Sequence, residues 1–375
     1  MKKLIKYAAI CTVIVIVSLI LLTGAFLGVL TIAEYRPAEI EKLEIRYHTG
    51  TEPGFSDANQ PIKHALASLS VNNPFSILIW NIGYASLDES QDFFMDGGKG
   101  VRPATDENVR GNLSGVREFI RGADCDITLI QETDTASRRS YYTDQRFYLT
   151  ENFAGSSVFA HNFKSIFVPI PVPEFIGKVS SGLLTLNRFE TIEASRLSLP
   201  NPFTWPVRAV NLKRCLLISR IPVENSAAEL VIINLHLEAY DSSGGREAQT
   251  RVLLDFMYSE YAKGNYCIAG GDFNQNFPGI DPGLFALKHS DYFVAGTLSP
   301  SLLAPGWQYA ADTRIPSCRL LNEPYSGNPE NTQLYVIDGF ILSPNIEIVE
   351  TTGYDLGFKY SDHNPVKINV MLKKN

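Results

Sequence analysis

Tyr360-Ser361-Asp362-His363-Asn364-Pro365-Val366 lies near the end of a chain of 375 residues, shortly after the strand-like run Tyr335-Val336-Ile337-Asp338-Gly339-Phe340-Ile341-Leu342-Ser343. A carboxylate beside an imidazole, with a second carboxylate, Asp338, on a strand that can reach the ring, is the arrangement that holds and polarises a histidine at a phosphate or acyl centre. The pair alone is a weak signal. It gains weight from four earlier apolar runs of strand length that each lead to a polar residue. Ser76-Ile77-Leu78-Ile79-Trp80 leads to Asn81, and Asp126-Ile127-Thr128-Leu129-Ile130-Gln131 leads to Glu132. Leu230-Val231-Ile232-Ile233-Asn234-Leu235 leads to His236, and Tyr266-Cys267-Ile268-Ala269-Gly270-Gly271 leads to Asp272 and Asn274. Buried strands read as continuous apolar runs, and function gathers where they end. A polar residue that merely caps a strand explains any one of these positions, but not the ordered series.

With these residues in view, the sequence resembles the endonuclease/exonuclease/phosphatase superfamily, the deoxyribonuclease-I-like metal-dependent phosphoesterases. The matching motifs are Trp80-Asn81-Ile82, Gln131-Glu132-Thr133-Asp134, Asn234-Leu235-His236-Leu237, Gly271-Asp272-Phe273-Asn274, Ile337-Asp338-Gly339-Phe340 and Ser361-Asp362-His363-Asn364-Pro365-Val366. They span residues 75 to 375 in the family's order. The resemblance implies an α+β fold, a four-layer α/β/β/α sandwich of two packed mixed sheets flanked by helices, with all six motifs converging at one edge.

A phosphoester presents negative oxygens to its attacker, so its hydrolysis needs charge neutralisation, a nucleophile and a stabilised leaving oxygen. Glu132 offers a hard oxygen ligand for Mg²⁺ or Mn²⁺. The resemblance implies that Asn81 and Asp362 complete the metal side, Asn81 also tuning Asp272. It implies that Asp272 orients or deprotonates the attacking water, that Asn274 donates its amide to a phosphate oxygen, and that His363, held by Asp338, donates to the phosphate. His236 matches the second histidine of the nuclease and sphingomyelinase branches, which favours a phosphodiester whose leaving alkoxide an imidazole can protonate.

The N-terminus sets the address. Lys2, Lys3 and Lys6 precede residues 7 to 33, a stretch without a formal charge that Glu34 closes. It exceeds the roughly 20 residues that span a bilayer as a helix. It is also long for the roughly 7 to 15 apolar residues of a cleaved signal, which is the alternative. The lysines place the N-terminus in the cytoplasm and the catalytic part outside. The expected organisation is an anchor at 1–33, a tether at 34–74 containing Pro37, Pro53, Gly54 and Pro61, and one catalytic domain at 75–375, acting as a monomer.

Charge and cysteine usage narrow the partners. The whole chain carries a formal charge of −7, and the part after residue 33 has 30 basic against 40 acidic residues, a formal charge of −10. No basic run exceeds Lys213-Arg214 or Arg138-Arg139. Nucleic-acid binders commonly present a basic stripe, so a nuclease is the less favoured enzyme and a lipid head group or small organic phosphate the preferred substrate. A binding protein on a degenerate fold predicts lost ligands, yet Glu132, Asp272, Asn274, Asp362 and His363 are all present. Five widely spaced cysteines form neither a zinc spacing nor a disulfide framework.

Two helices are expected, Asp106 to Gly122 capped by Asp106, and Arg246 to Lys263 stopped at Gly264. Strands are expected at Ser181 to Phe189, Arg214 to Ile221, Glu229 to Leu237, Tyr266 to Asp272, Tyr335 to Leu342 and Val366 to Leu372, with a short one at Leu43 to Tyr47. Residues 91–100 form a glycine-rich loop between the Asn81 and Glu132 motifs whose Lys99 is a candidate phosphate contact. Arg138, Arg139 and Tyr141 are candidate substrate contacts soon after Glu132. The apolar, proline-rich run Ile166 to Ile176 either packs on the sandwich or faces lipid.

Overall fold

In the computed structural model, which describes residues 2–50, 66–240, 244–281, 283, 285–289 and 291–374, fourteen strands form two seven-stranded sheets. In chain order they are β1 (Ile40–Lys42), β2 (Ile45–Thr49), β3 (Pro74–Asn81), β4 (Ile127–Asp134), β5 (Ala154–Val168), β6 (Gly177–Asn187), β7 (Glu193–Ser198), β8 (Cys215–Pro222), β9 (Glu229–His236), β10 (Tyr266–Asp272), β11 (Gln308–Ala310), β12 (Asp338–Leu342), β13 (Ile346–Gly353) and β14 (Val366–Leu372). One sheet has the order β1-β7-β8-β9-β10-β12-β11, the other β13-β14-β3-β4-β6-β5-β2. Both are mixed: β3 runs parallel to β4 and β9 parallel to β10, while their other neighbours are antiparallel.

The inner layer is the core between the sheets, where Ile77, Ile79, Leu129 and Ile368 of one sheet meet Ile232, Ile268, Phe340 and Leu342 of the other. Helix α2 (Asp106–Ala123) lays Val109, Leu113 and Val116 on the outer face formed by Trp80, Ile130 and Leu184. After the short helix α3 (Gln145–Thr150), helix α4 (Gly245–Ala262) lays Leu253, Leu254 and Met257 on Val231, Ile233 and Ala269 of the opposite outer face. Apolar residues three and four apart put these stripes on one side of each helix. The expected four layers are therefore present. The sheets are also stapled by a polar link: Gln131 donates through Nε2 to Asn234 Oδ1 at 2.8 Å, and Asn234 returns a hydrogen bond to the Ile130 carbonyl. The pair ties the sheets to each other next to Glu132 and His236.

Several local expectations differ from the structure. The cap of α2 is Thr105, whose side chain accepts from the Asn108 N–H, with Asp106 the first helical residue. The run expected as one strand from Tyr335 to Leu342 is broken. Leu334–Tyr335 pairs with Cys318–Arg319, and the main-sheet strand begins at Asp338 because Ser317 Oγ accepts the N–H groups of Ile337 and Asp338. Strands β5, β7 and β13 are not among the expected ones, since their runs alternate with Ser, Lys, Glu and Thr rather than reading apolar throughout.

The N-terminal helix α1 (Lys2–Ile32) is long and apolar enough to cross a membrane, and its flank is exposed along most of its length. The segment after it is more ordered than a tether. Glu34, 2% exposed at its side chain, takes hydrogen bonds from Lys213 Nζ at 3.0 Å and from Arg208 and Arg36 at 3.1 Å. Residues 40–49 then add an edge strand to each sheet. The tether reading at Pro53, Gly54 and Pro61 falls outside the described residues.

Candidate active site

The parallel pairs bring their C-terminal ends to one edge of the sandwich. Asn81 is the last residue of β3, His236 the last of β9 and Asp272 the last of β10. In the ladder Asp272 sits opposite His236 on one side and opposite Asp338, the first residue of β12, on the other. Asp362 and His363 immediately precede β14, whose Val366 is opposite Ile79 of β3. Glu132 lies at a bulge in β4, between Ile130 and Thr133, with φ +56°. Asn274 has φ +52°. Left-handed backbone at a non-glycine residue costs about 1–2 kcal/mol and persists where the surroundings over-determine it, as they do at functional sites.

Asp272 is the hub. Its Oδ2 accepts from Asn81 Nδ2 at 3.1 Å and lies 3.3 Å from His236 Nε2 and 3.8 Å from His363 Nε2. Its Oδ1 accepts from the Asn274 N–H at 2.8 Å. His363 Nδ1 is 2.9 Å from Asp338 Oδ2, its backbone N–H is held by Ser361 Oγ, and its carbonyl accepts from Trp80 Nε1. Gly83, at φ +49°, makes room: a Cβ there would lie 2.7 Å from Asp362 Oδ1.

Burial sets the protonation. It pushes Asp272 up to about 6, with Asp338 adding to the rise, and Asp362 up to about 6, with Glu132 adding to the rise; Glu132 itself is raised by burial and by Asp272. Burial also disfavours the His363 imidazolium, yet His363 is held well above the usual histidine range. The neighbouring Cys318 thiol, pushed up to about 12 by burial, is uncharged near neutrality, so Asp338 and Asp362 carry that effect. His236 is driven the other way, well below its usual value, by burial and by Arg214.

The buried Asp272 and Asp362 and the partly exposed Glu132 are all raised, with neighbouring carboxylates contributing to each rise, so the centre has surplus negative charge, and Asp338 Oδ1 and His236 Nδ1 have no hydrogen-bond partner. An oxygen-rich donor set short of positive charge fits a hard divalent cation. Asp272, Asp338 and His363 hold ligand atoms all within 4.8 Å of one another, as do Cys318, Asp362 and His363. The expected metal side, Asn81, Glu132 and Asp362, lines the same cavity as Asp272, Cys318 and His363.

A family model described as the Endonuclease/Exonuclease/phosphatase family matches residues 79–363. The chain belongs to this family. Its members generally hydrolyse phosphoester bonds and typically use divalent metals. A search of curated proteins returns no match. Among solved structures, an endonuclease/exonuclease/phosphatase from Beutenbergia cavernae is 18% identical with a TM-score of 0.54, over 80% of this chain and 72% of that one. A functionally unknown conserved protein from Enterococcus faecalis is 16% identical, TM-score 0.49, over 80% of this chain and 100% of the other. D. rerio TDP2 complexed with single-strand DNA product is 16% identical, TM-score 0.48, over 80% and 99%.

The residues proposed from sequence fall into three groups within this family fold. Asn81, Glu132, His236, Asp272, Asn274, Asp362 and His363 line one cavity, with Asp338 directly behind His363. Arg139 also lines it, but its guanidinium is held by Asp134 at 3.0 and 3.1 Å and lies 3.5 Å from the Tyr84 ring centre. Arg138 donates to the Phe175 carbonyl, the Tyr141 hydroxyl donates to the Pro103 carbonyl, and Lys99 is exposed; none of these three lines the cavity. The 91–100 loop reaches the site through Phe93, Met95 and Asp96 instead, Asp96 accepting from the Tyr240 hydroxyl at 2.6 Å. The Asn274 amide is engaged by the Leu237 carbonyl at 2.9 Å, so it braces the His236 strand end.

Arg214 is a site residue that the sequence does not single out. It lines the cavity and is 5% exposed, with Glu238 Oε2 at 3.7 Å and its Nε and Nη1 without hydrogen-bond partners. A guanidinium with two free donors beside a phosphoester site is built for anionic oxygens. Its one signal in the sequence is a charge that immediately precedes the apolar strand Cys215–Pro222, and as half of the short Lys213-Arg214 pair it does not stand out.

Proposed function

We propose that this protein is a membrane-anchored, Mg²⁺- or Mn²⁺-dependent phosphodiesterase whose catalytic domain lies outside the cytoplasm, with a lipid head group or small organic phosphate as substrate. One observation carries the reading: Asp272, His236, His363 and Asp338 meet at one sheet edge beside Glu132 and Asp362, with Arg214, paired to Glu238 yet keeping N–H donors without hydrogen bonds, lining the same cavity. The lysines at the start of α1, Lys2, Lys3 and Lys6, support the orientation, and the length and apolarity of α1 support the anchor.

Glu132, Asp362 and Asn81 would hold the cation, which when bound lowers the charge on the phosphate oxygens. Asp272, fixed by Asn81 and the Asn274 N–H, takes the proton of the attacking water. His363, held by Asp338, donates through Nε2 to a phosphate oxygen. His236 departs from the role of leaving-group acid. Burial beside Arg214 keeps it neutral, and its Nε2 points at Asp272, so it orients the base. Arg214 neutralises the developing charge.

The test is hydrolysis by the full chain of a generic phosphodiester, a phosphomonoester, plasmid DNA and sphingomyelin vesicles, with and without Mg²⁺. The reading expects Mg²⁺-dependent cleavage of the diester or the vesicle lipid with DNA intact. Cleavage of DNA alone refutes the substrate class. For His236→Ala, an orienting role expects equal losses on substrates with good and poor leaving groups, whereas a loss confined to poor leaving groups restores the acid role.

A further inference from the structure

The cavity that holds the catalytic residues does not end at them. Its volume is about 370 Å³, within the roughly 300–1,000 Å³ of small-molecule sites, yet its lining extends to Leu27 and Leu30 of α1. Between these ends the walls are apolar: Phe163 and Val168 from the end of β5, Ile170 and Ile176 from the proline-rich loop, and Val207 and Val210 from the segment before β8. Leu27 lies five residues before Ile32, about 7.5 Å along the axis at 1.5 Å per residue, so the groove meets α1 close to where the helix would leave a bilayer.

Contacts fix that meeting. Trp205 Nε1 donates to Thr31 Oγ1 at 3.0 Å, Phe26 packs edge-on against Phe167, and Glu34 is clasped by Arg208 and Lys213. Around the junction Ile166, Ile170, Val172, Trp205 and Val207 are exposed, Val172 by 78%. Exposed apolar residues on segments packed beside an apolar helix end favour a surface that meets lipid. A water-soluble phosphate needs no apolar groove. A nucleic acid needs basic surface, whereas Arg139 and Arg214 of the cavity are buried beside Asp134 and Glu238.

We propose that this groove is a hydrocarbon channel, and that the substrate is a phosphodiester lipid drawn sideways from the membrane that holds α1. The proposal rests on the anchored phosphodiesterase reading and names its substrate class. The lipid's phosphate sits at the catalytic cluster, and one of its chains lies between α1 and the two apolar loops. In the reaction a water oxygen forms a new bond to phosphorus and one P–O ester bond breaks. One proton of the water passes to Asp272 and the departing alkoxide takes a proton from solvent, giving an alcohol and a phosphomonoester.

The experiment uses the full chain in vesicles of equimolar phosphatidylcholine, phosphatidylglycerol and sphingomyelin with Mg²⁺. It reads two rates, hydrolysis of vesicle lipid and of water-soluble bis(p-nitrophenyl) phosphate, in the wild type and in Leu27→Trp and Ile170→Trp, which narrow the groove from opposite walls. The expected result is hydrolysis of both substrates by the wild type and a fall of at least about tenfold in the lipid-to-soluble rate ratio in the variants. Wild-type activity on the soluble diester with vesicle lipids untouched overturns the channel and leaves the phosphodiesterase reading standing. So does an unchanged ratio in folded variants. Inactivity of the wild type on both substrates overturns the two together. The wild-type arm decides even where a variant does not fold.

Discussion

Replacing Asp338 by Asn keeps the shape of the side chain and a neutral acceptor for His363 Nδ1 but removes the negative charge 2.9 Å from the ring. A hydrogen bond to a charged group contributes about 1.5–3 kcal/mol and a neutral one about 0.5–1.5, so the substitution loses on the order of 1–2 kcal/mol of support for a positively charged His363. If that support is realised when charge builds on the phosphate, at 1.36 kcal/mol per decade kcat falls about 5- to 30-fold. Asp338→Ala goes further, leaving a buried ring nitrogen without any partner at an added cost of about 1–3 kcal/mol, for a total fall of about 30- to 5,000-fold. The assay is initial-rate kinetics on a soluble phosphodiester at saturating Mg²⁺, with thermal melting to confirm folding. Because Asp338 acts through His363, the loss belongs in kcat, with KM little changed. Both variants folded, with kcat within twofold of the wild type, would refute the reasoning.

Three other perturbations have defined outcomes. Glu260 is buried, which by itself would raise it, but hydrogen bonds from Arg220, Lys263 and Asn265 hold it down at about 2. A carboxyl depressed in the folded state stabilises above its unfolded value near 4.5 and loses that contribution as pH falls towards 2. Glu260→Gln is therefore expected to be less stable at neutral pH by on the order of 2 kcal/mol, after allowing for the partly exposed partners, with the deficit closing between about pH 4.5 and 2 in pH-dependent denaturant melts. Removing divalent cations with EDTA is expected to abolish hydrolysis, Mg²⁺ or Mn²⁺ to restore it, and Mg²⁺ at a hundredfold its Kd to stabilise the fold by about 2.7 kcal/mol in a thermal melt. Gly83→Ala forces a side chain into left-handed backbone and against Asp362, and is expected to lower activity at least about tenfold while the melting temperature moves only a few degrees.

The site was largely legible because its residues end apolar strands, and an apolar run that stops at a hard ligand is visible without coordinates. Asn81, His236 and Asp272 are each the final residue of a strand, and Glu132 interrupts one. The layers were legible for the same reason: Val109, Leu113 and Val116 carry a helical stripe, and Ile77, Ile79, Ile232 and Ile268 a strand face. The features that escape the sequence depend on distant contacts. Arg214 reads as one of many arginines until the fold buries its guanidinium beside Glu238. The brace that Asn274 gives to the Leu237 carbonyl, through one of its two amide N–H donors, joins residues 37 apart in the chain and has no local signal. Of residues 40–49 only a short strand at Leu43 to Tyr47 is legible, and not the split into one edge strand for each sheet, because an edge strand needs little apolar content when its partner supplies the pairing. The docking of α1 was invisible because a uniformly apolar helix carries no periodicity to show which side faces the domain.

Hydrolysis of a phosphodiester by the cluster around Asp272 underlies every role proposed above. The most direct measurement is the Mg²⁺-dependent rate of bis(p-nitrophenyl) phosphate hydrolysis by the full chain beside its Asp272→Ala variant, both shown to be folded. The account predicts turnover by the wild type and a fall of roughly a thousandfold or more in the variant, which loses both the base and the carboxylate that Asn81 and His236 address. A folded, Mg²⁺-binding wild type without turnover, or a variant as active as the wild type, would contradict it.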